Sequence, residues 1–322
     1  MKATTQATTQ ATGATGTTGA GRRLRGRTAV IAAPFLFLLL FFLLPFGIVG
    51  KISVSETDGI VFADLFTVVD GALQVSVKFG NYLFLAQDPL YLRAYAASLQ
   101  YAAVTTLLCL AIGYPFAYFM ARARTAVQPL LLMLVMLPFW TSFLLRVYAW
   151  RGLLSDNGWV ADAVIGLGFD QVLFALGFIS APGSLMHTPF SLVLGMTYTY
   201  LPCMVLPLYS NLVKMDLRLL EAAADLGATP WVAFWRVTVP LSKAGIIAGS
   251  MLVFIPCVGE YVIPELLGGP ETLMIGRVLW DEFFANNDWP MASSVAVVMV
   301  LLIIVPLAVF SKYQAEAQDR GR

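Results

Sequence analysis

Long apolar segments alternate with shorter polar ones along most of this chain. A helix needs about 20 predominantly apolar residues to cross a bilayer. Six stretches meet this requirement, namely residues 29–51, 94–120, 128–150, 188–212, 243–267 and 290–311. We therefore predict an all-α, polytopic membrane protein whose six transmembrane helices form one domain over residues 28–312.

The two ends of the chain differ from this apolar domain. Residues 1–27 are rich in Thr, Ala and Gly and end in four arginines. Such a sequence buries too little apolar surface to offset chain entropy, so we expect a disordered, basic tail. Residues 313–322 form a short second tail. The apolar run after the arginines is too long for a cleaved signal peptide, so we expect it to remain as the first span.

Composition supports the membrane assignment. Hydrophobic residues make up 59% of the chain and charged residues 12%, against about 45–50% and about 25% in soluble domains. The net charge is +1, and no basic block is long enough to suggest nucleic-acid binding. Three cysteines lie scattered in apolar runs, which favours packing over a disulfide framework or a zinc site.

The distribution of basic residues predicts the orientation. Both tails, the turn at 121–127 and the loop around 213–243 together hold most of the 20 Lys and Arg residues. Loops on the cytoplasmic side carry the excess of basic residues. We therefore expect both termini in the cytoplasm of a bacterial cell, and three longer, acidic loops on the opposite side of its inner membrane.

Catalytic constellations are missing from the sequence. The chain has one histidine, His187, and no HExxH or GxSxG motif. The stretch GRRLRGRT at 21–28 only superficially resembles a phosphate-binding loop, because arginine replaces its lysine and no strand precedes it. We expect neither an enzyme nor a metal or cofactor bound by this chain.

Two charged residues fall inside apolar runs. Arg146 and Glu260 would each lie roughly 25 Å along a straight helix from its inner end, at about 1.5 Å per residue. Their similar depth suggests that they pair or face one cavity. Glu260 could accept a cationic substrate, or the pair could close an outer gate. Three aromatic residues could line the same path through cation–π contacts or simply pack between helices: Trp140, Tyr198 and Tyr200.

The polar loop between the fourth and fifth spans has the pattern of a folded element. Its sequence is EAAADLGATPWVAFWRVTVP over residues 221–240. An Ala-rich helix, a Gly that permits a left-handed turn and a Pro suited to a helix start predict two short helices in a bent arrangement. The second carries an apolar stripe expected to project toward a bilayer surface or a groove in another protein: Trp231, Phe234, Trp235 and Val239.

This loop resembles the EAA loop of permease subunits in bacterial ABC importers. The family pattern is Glu-Ala-Ala, three residues, Gly, nine residues, then Ile-x-Leu-Pro. The matching residues are Glu221, Ala222, Ala223, Gly227, Val237, Val239 and Pro240. Every spacing agrees, and valine replaces both Ile and Leu.

The resemblance implies a type I ABC importer permease fold in which loop 213–242 is a coupling helix. It implies that Glu221 contacts a separate ATPase, Gly227 makes the bend and Pro240 ends the element. Implied partners are an ATPase dimer that holds ATP and Mg, a second permease subunit and an extracytoplasmic substrate-binding protein, all assembled on a lipid bilayer.

Further strings resemble permeases of polyamine importers of the spermidine/putrescine class. They are PFWTSFLLRVYAWRGLL, YLPCMVLPLY, AGSMLVFIPCVGEYVIPELLGG, IGRVLW and NDWP, and the string DPLYLRAYAASL favours the putrescine subunit. Putrescine is thus the expected cargo, with spermidine or another small cation as the alternative. A secondary transporter with Glu260 as its intramembrane acid remains a less favoured possibility.

Overall fold

The computed structural model describes most of the chain. The described residues are 31–55, 57–58, 61–62, 66–69, 72–75 and 79–319, with side chains left undescribed in the strands, at 309–311 and at 313–319. The predicted N-terminal tail, 1–27, lies outside them. The chain divides into two units between Lys51 and Ile52.

The described structure contains fourteen helices and four short strands, besides 3-10 turns at Leu137–Trp140 and Pro270–Thr272 and a π-helical turn at Asp281–Ala285. The helices are α1 (Ile31–Ser53), α2 (Gly80–Gln87), α3 (Pro89–Arg122), α4 (Gln128–Met136), α5 (Phe143–Leu154), α6 (Trp159–Gly166), α7 (Phe169–Ala175), α8 (Pro189–Leu212), α9 (Arg218–Asp225), α10 (Pro230–Leu241), α11 (Lys243–Val258), α12 (Val262–Leu267), α13 (Ile275–Trp280) and α14 (Trp289–Asp319). The strands are β1 (Thr57–Asp58), β2 (Val61–Phe62), β3 (Phe66–Val69) and β4 (Ala72–Val75).

Four helices are long and apolar enough to cross a membrane without interruption: α1, α3, α8 and α14. Two bent pairs raise the number of spans to six if each pair counts as one, α4 with α5 and α10 with α11. The membrane-spanning part is thus all-helical, as predicted. The strands form two small antiparallel hairpins, β1–β2 and β3–β4, which the sequence analysis did not anticipate.

The predicted third span, 128–150, is broken in the structure. A 3-10 turn at Leu137–Trp140 follows α4, Thr141 is extended, and α5 leaves at 87°. Pro138 begins the break because its ring disfavours a continued α-helix, and the Thr141 hydroxyl donates to the Pro138 carbonyl at 2.8 Å. The straight-helix depth assigned to Arg146 is therefore wrong.

The predicted fifth span, 243–267, is also interrupted. Helix α11 ends at Val258 and α12 begins at Val262, so Glu260 lies in the break rather than inside a helix. Gly276 of α13 packs directly on this break, since a Cβ there would come within 2.6 Å of the carbonyl oxygens of Gly259 and Glu260. The depth assigned to Glu260 from a continuous helix is wrong for the same reason.

The main core lies where α3, α8 and α11 meet. Its buried residues include Ala102, Cys109, Met120, Leu192, Met196, Met204 and Val253. Small residues bring α8 and α11 close together, because a Cβ on Gly249 would lie 3.0 Å from the Met204 carbonyl oxygen. Close packing of small residues is the usual way in which membrane helices associate.

A second buried cluster joins α3 to α13 and α14. Two cross-helix hydrogen bonds fix it. The Tyr95 hydroxyl donates to the Val295 carbonyl at 2.8 Å, and the Ile275 amide donates to the Ser98 hydroxyl at 2.8 Å. Such bonds satisfy polar groups that lipid cannot, so they define how these helices fit together.

Candidate coupling loop and intramembrane charges

Helix α9 opens the polar loop, and its ends are defined by local hydrogen bonds. The Asp216 carboxylate accepts from the Arg218 amide at 3.0 Å, where the helix begins. Glu221 lies in the first turn and is exposed. A carboxylate in this position is stabilised by the helix dipole, so Glu221 is free to present its charge to a partner.

Gly227 makes the bend after α9. Its φ of +81° is the left-handed conformation that the turn was expected to need. The Gly227 amide donates to Ala224 at 2.8 Å and the Ala228 amide to Ala223 at 2.9 Å. These two bonds form a Schellman motif, which satisfies the free carbonyls at the helix end and turns the chain sharply.

Helix α10 then starts at Pro230, and the chain bends by 65° between α10 and the following helix α11. The Thr229 hydroxyl caps it by accepting from the Val232 amide at 3.4 Å. Residues Phe234–Thr238 are π-helical, with the Val239 amide bonded to the Phe234 carbonyl. Pro240 explains the wide turn, because a proline ring clashes with the carbonyl four residues earlier and lacks its own N–H.

Three apolar side chains stand out from this hairpin, defined as residues 218–241. Leu226 is 90% exposed, Trp231 68% and Trp235 53%. Exposed apolar groups of this size mark interaction sites when they cluster. The hairpin therefore presents both an acidic residue, Glu221, and an apolar surface.

The predicted apolar stripe is wrong in part. Phe234 points inward, and its ring meets Tyr114 and Tyr118 of α3 edge-on, at 5.6 Å and 5.7 Å between centroids. Val239 likewise packs against the main core. The stripe is therefore divided between an inward side, with Phe234 and Val239, and an exposed side, with Trp231 and Trp235.

The remaining residues of the loop pattern differ in how exposed their side chains are. Ala222 is exposed, whereas Ala223 and Val237 are half-buried. Pro240 is exposed near the end of the loop. All seven residues of the pattern thus lie on one hairpin.

Glu260 is buried, with 9% of its surface exposed. One carboxylate oxygen accepts from the Tyr200 hydroxyl, and the other from the Val262 and Ile263 amides at 3.1 Å and 3.5 Å. Glu260 therefore caps α12 and ties it to α8. The fold does bring Tyr200 and Glu260 together.

Arg146 does not pair with Glu260 among the residues that the structure describes. Its Nε and Nη1 atoms are buried without a hydrogen-bond partner there. The guanidinium lies over the rings of Phe139 and Phe143, at 5.5 Å and 5.9 Å. The expected direct pair is replaced by cation–π contacts, because the bend at Thr141 redirects α5.

Trp140 and Tyr198 are separate from the Glu260 contact. Trp140 lies at the end of the 3-10 turn and is 74% exposed. Tyr198 packs edge-on against Trp150 at 5.3 Å. Their role along a substrate path stays a prediction.

A cavity of about 400 Å³ lies beside the start of α8, at the opposite end of that helix from the hairpin. Glu265 and Arg277 form an ion pair there at 2.7 Å. Burial raises the pKa of the nearby Asp281 carboxyl, and Glu265 and Glu282 add to the effect while Arg277 opposes it. Sequence reasoning missed this site because its residues come from separate short helices.

Comparison with known proteins decides the family. Residues 108–320 match the family described as "Binding-protein-dependent transport system inner membrane component". The chain belongs to this family. This permease is 37% identical over 285 residues to the spermidine/putrescine transport system permease protein PotB of Haemophilus influenzae, covering 88% of the chain and 92% of that relative. It is also 37% identical over 275 residues to PotB of Escherichia coli, covering 85% and 92%.

Solved structures support the same fold. The permease resembles a bacterial ABC transporter involved in alginate import, with a TM-score of 0.60 and 17% identity over 93% of this chain and 99% of that one. It also resembles the methionine ABC transporter MetNI, with a TM-score of 0.50 and 16% identity over 70% and 94%. The chain is thus an inner-membrane transport subunit and not an enzyme, as the sequence predicted.

Proposed function

We propose that this permease is one of two membrane subunits of an ATP-driven polyamine importer. Its basic loops and both termini lie in the cytoplasm, and its acidic loops face the opposite side. An ATPase dimer holds ATP and Mg and docks beneath the hairpin. A substrate-binding protein delivers the cargo from the other side.

The observation that carries this proposal is the hairpin of residues 218–241. The complete EAA spacing falls on a folded element that presents Glu221 and exposes Leu226, Trp231 and Trp235. An amphipathic helix with exposed aromatic anchors suits a groove in a partner protein. Since the chain itself carries no nucleotide-binding motif, the partner in this proposal is the ATPase.

Coupling then works by moving the hairpin. Closure of the ATPase dimer displaces α9 and α10 as a unit, because the Schellman turn at Gly227 holds them together. Helix α11 follows directly from α10 after Leu241, so displacement of the hairpin tilts the spans. This is a rigid-body switch between two access states.

The cargo in this proposal is a small organic dication, with putrescine first and spermidine second. The named relatives are spermidine/putrescine permeases, and the string DPLYLRAYAASL at the start of α3 resembles the putrescine subunit. Acidic loops on the receiving side would raise the local concentration of a dication. Competition of unlabelled spermidine against labelled putrescine, in cells with only this importer, ranks the two cargoes.

Glu221→Lys tests the docking role. We expect the variant to insert into the membrane normally but to lose ATP-driven uptake, because a lysine would oppose a contact built for a carboxylate. Asp225→Lys is the matched control, since it makes the same charge change on the same exposed helix, four residues along. Uptake would be measured in reconstituted proteoliposomes, with a fixed ATP concentration on the ATPase side and the loaded binding protein on the opposite side.

Two outcomes would contradict the proposal. Normal uptake by Glu221→Lys would remove the coupling role of this residue. Uptake that follows a proton gradient and ignores ATP would instead identify a secondary transporter.

A further inference from the structure

Phe234 links the hairpin to a helix with which the hairpin has no chain connection. The hairpin follows α8 in sequence and precedes α11, so both helices are joined to it covalently. Helix α3 is remote in sequence, yet two of its tyrosines hold the Phe234 ring. This contact is therefore a third, non-covalent attachment point.

The geometry of this attachment is specific. Phe234 meets Tyr114 at an interplanar angle of 90° and Tyr118 at 88°. Both are edge-to-face arrangements, which aromatic pairs prefer. Tyr114 and Tyr118 are four residues apart, so they lie on one face of α3 and form a slot for a single ring.

Both walls of the slot are held in place. The Tyr114 side chain is buried, and its hydroxyl shares a 2.8 Å hydrogen bond with the hydroxyl of buried Ser242, at the junction of α10 and α11. Arg122 lies over the Tyr118 ring at 5.1 Å. The slot is thus preorganised, and the ring that enters it is constrained on two sides.

Two tryptophans of the hairpin also contact the Phe234 ring, Trp231 stacked on it at 6.2 Å and Trp235 edge-on at 5.3 Å between centroids. Both tryptophans and Leu226 nevertheless remain more than half exposed, so a partner that binds them contacts the immediate neighbours of the anchored ring. The hairpin has one surface for docking and one residue that anchors it to α3.

We propose that Phe234 is a positioning residue that transmits displacement of the hairpin to α3. The proposal rests on the function proposed above and deepens it. When the ATPase pulls or pushes the hairpin, the ring carries the movement into Tyr114 and Tyr118. Helix α3 packs on both α8 and α11 in the main core, so it then moves with them rather than lagging behind.

The test uses the full transporter, reconstituted in lipid with its ATPase, sister permease and binding protein. For Phe234→Ala we expect the ATPase to stay bound and to keep its basal hydrolysis. Putrescine uptake, and stimulation of hydrolysis by the loaded binding protein, should each fall about ten-fold, within the usual range of coupling between sites. Leu226→Ala is the contrasting control, and it should weaken ATPase association instead.

A double-mutant cycle tests whether Phe234 and Tyr118 act through one contact, while ATPase association and basal hydrolysis report any simple loss of assembly. Tyr118→Leu alone should reproduce the uncoupling, and it carries the test if Phe234→Ala does not assemble. Combining the two should be no worse than Phe234→Ala alone, because that change already removes the ring that Tyr118 contacts. Additive losses, unchanged uptake in the single variants, or loss of ATPase association by Phe234→Ala would each overturn the proposal.

Failure of the proposed function has a different result. In that case the unaltered transporter itself would show no ATP-dependent uptake. A defect confined to the Phe234 and Tyr118 variants bears only on the anchor.

Discussion

Replacing Gly227 with alanine should weaken the proposed ATPase docking by a calculable amount. Gly227 has φ +81°, and a Cβ added there would have no atom within 4 Å. The substitution therefore causes no clash, and its whole cost is the left-handed backbone, about 1–2 kcal/mol for an L-residue. That cost opposes the conformation in which the two Schellman hydrogen bonds form.

If the ATPase binds only the bent hairpin, the dissociation constant should rise by up to about 5- to 30-fold. Gly227→Asn should have a smaller effect, because asparagine visits the left-handed region more readily. Titration of purified ATPase onto the permease in nanodiscs, followed by a surface or fluorescence signal, gives the dissociation constants of the unaltered protein, Gly227→Ala and Gly227→Asn.

Gly183→Ala supplies the matched control. Gly183 has φ +83° and equally open surroundings, but it precedes α8, whose 24 residues separate it from the loop by about 36 Å. It carries the same backbone strain far from the hairpin. The reasoning is refuted if Gly227→Ala binds the ATPase as tightly as the unaltered permease, or if Gly183→Ala weakens binding equally.

Three further predictions concern the membrane domain. Glu260→Ala should lower the melting temperature in detergent more than Glu260→Gln, because the Gln side chain can still accept hydrogen bonds from Tyr200 and the backbone. A raised KM for uptake by Glu260→Gln, without a loss of stability, would instead identify Glu260 as an acceptor of the cation. Gly249→Ala should destabilise by about 1–3 kcal/mol, since its Cβ meets the Met204 backbone, and an unchanged melting temperature would contradict the close approach of α8 and α11. Asp281→Asn should raise the melting temperature at pH 7, because the folded state disfavours the ionised carboxyl. That gain should shrink as the pH falls through the raised folded pKa toward about 3.9, the ordinary Asp value, and a gain independent of pH would argue against burial as its cause.

The sequence predicted the continuous spans well because their signal is local. About 20 apolar residues in a row specify a crossing helix whatever surrounds them, as in α1, α3, α8 and α14. The loop pattern was equally readable, since Gly227 and Pro230 act on their own backbone. Chain-local chemistry therefore accounts for the hairpin and for most of the membrane domain.

The breaks and the long-range contacts could not be read in this way. Hydropathy continues through Thr141 and Glu260, so both interrupted spans looked continuous. Glu260 finds Tyr200 only because α8 and α12 pack together, and Arg146 turns to aromatic rings because α5 bends by 87°. These outcomes depend on tertiary neighbours that no single segment encodes.

The same limit explains the inward position of Phe234. Assigning faces at 3.6 residues per turn placed it with Trp231 and Trp235 on one outward stripe. A signal was available in Pro240, whose ring predicts a widened turn upstream, and in the Tyr114–Tyr118 spacing on α3. Without the fold, however, nothing connected the two segments.

The π-helical turn has a consequence for the phase of the whole loop. Its hydrogen bonds join residues five apart instead of the four of an α-helix. The side chains before the turn are therefore rotated about the helix axis relative to those after it. Pro240 therefore determines the direction in which the Phe234 ring, six residues upstream, points from the helix axis. A substitution at 240 that restored the ordinary helical pitch would turn Phe234 away from its slot while leaving every other side chain of the hairpin unchanged. Pro240 would then do more than end the loop. It would determine which face of the hairpin contacts the helix bundle and which face contacts the partner.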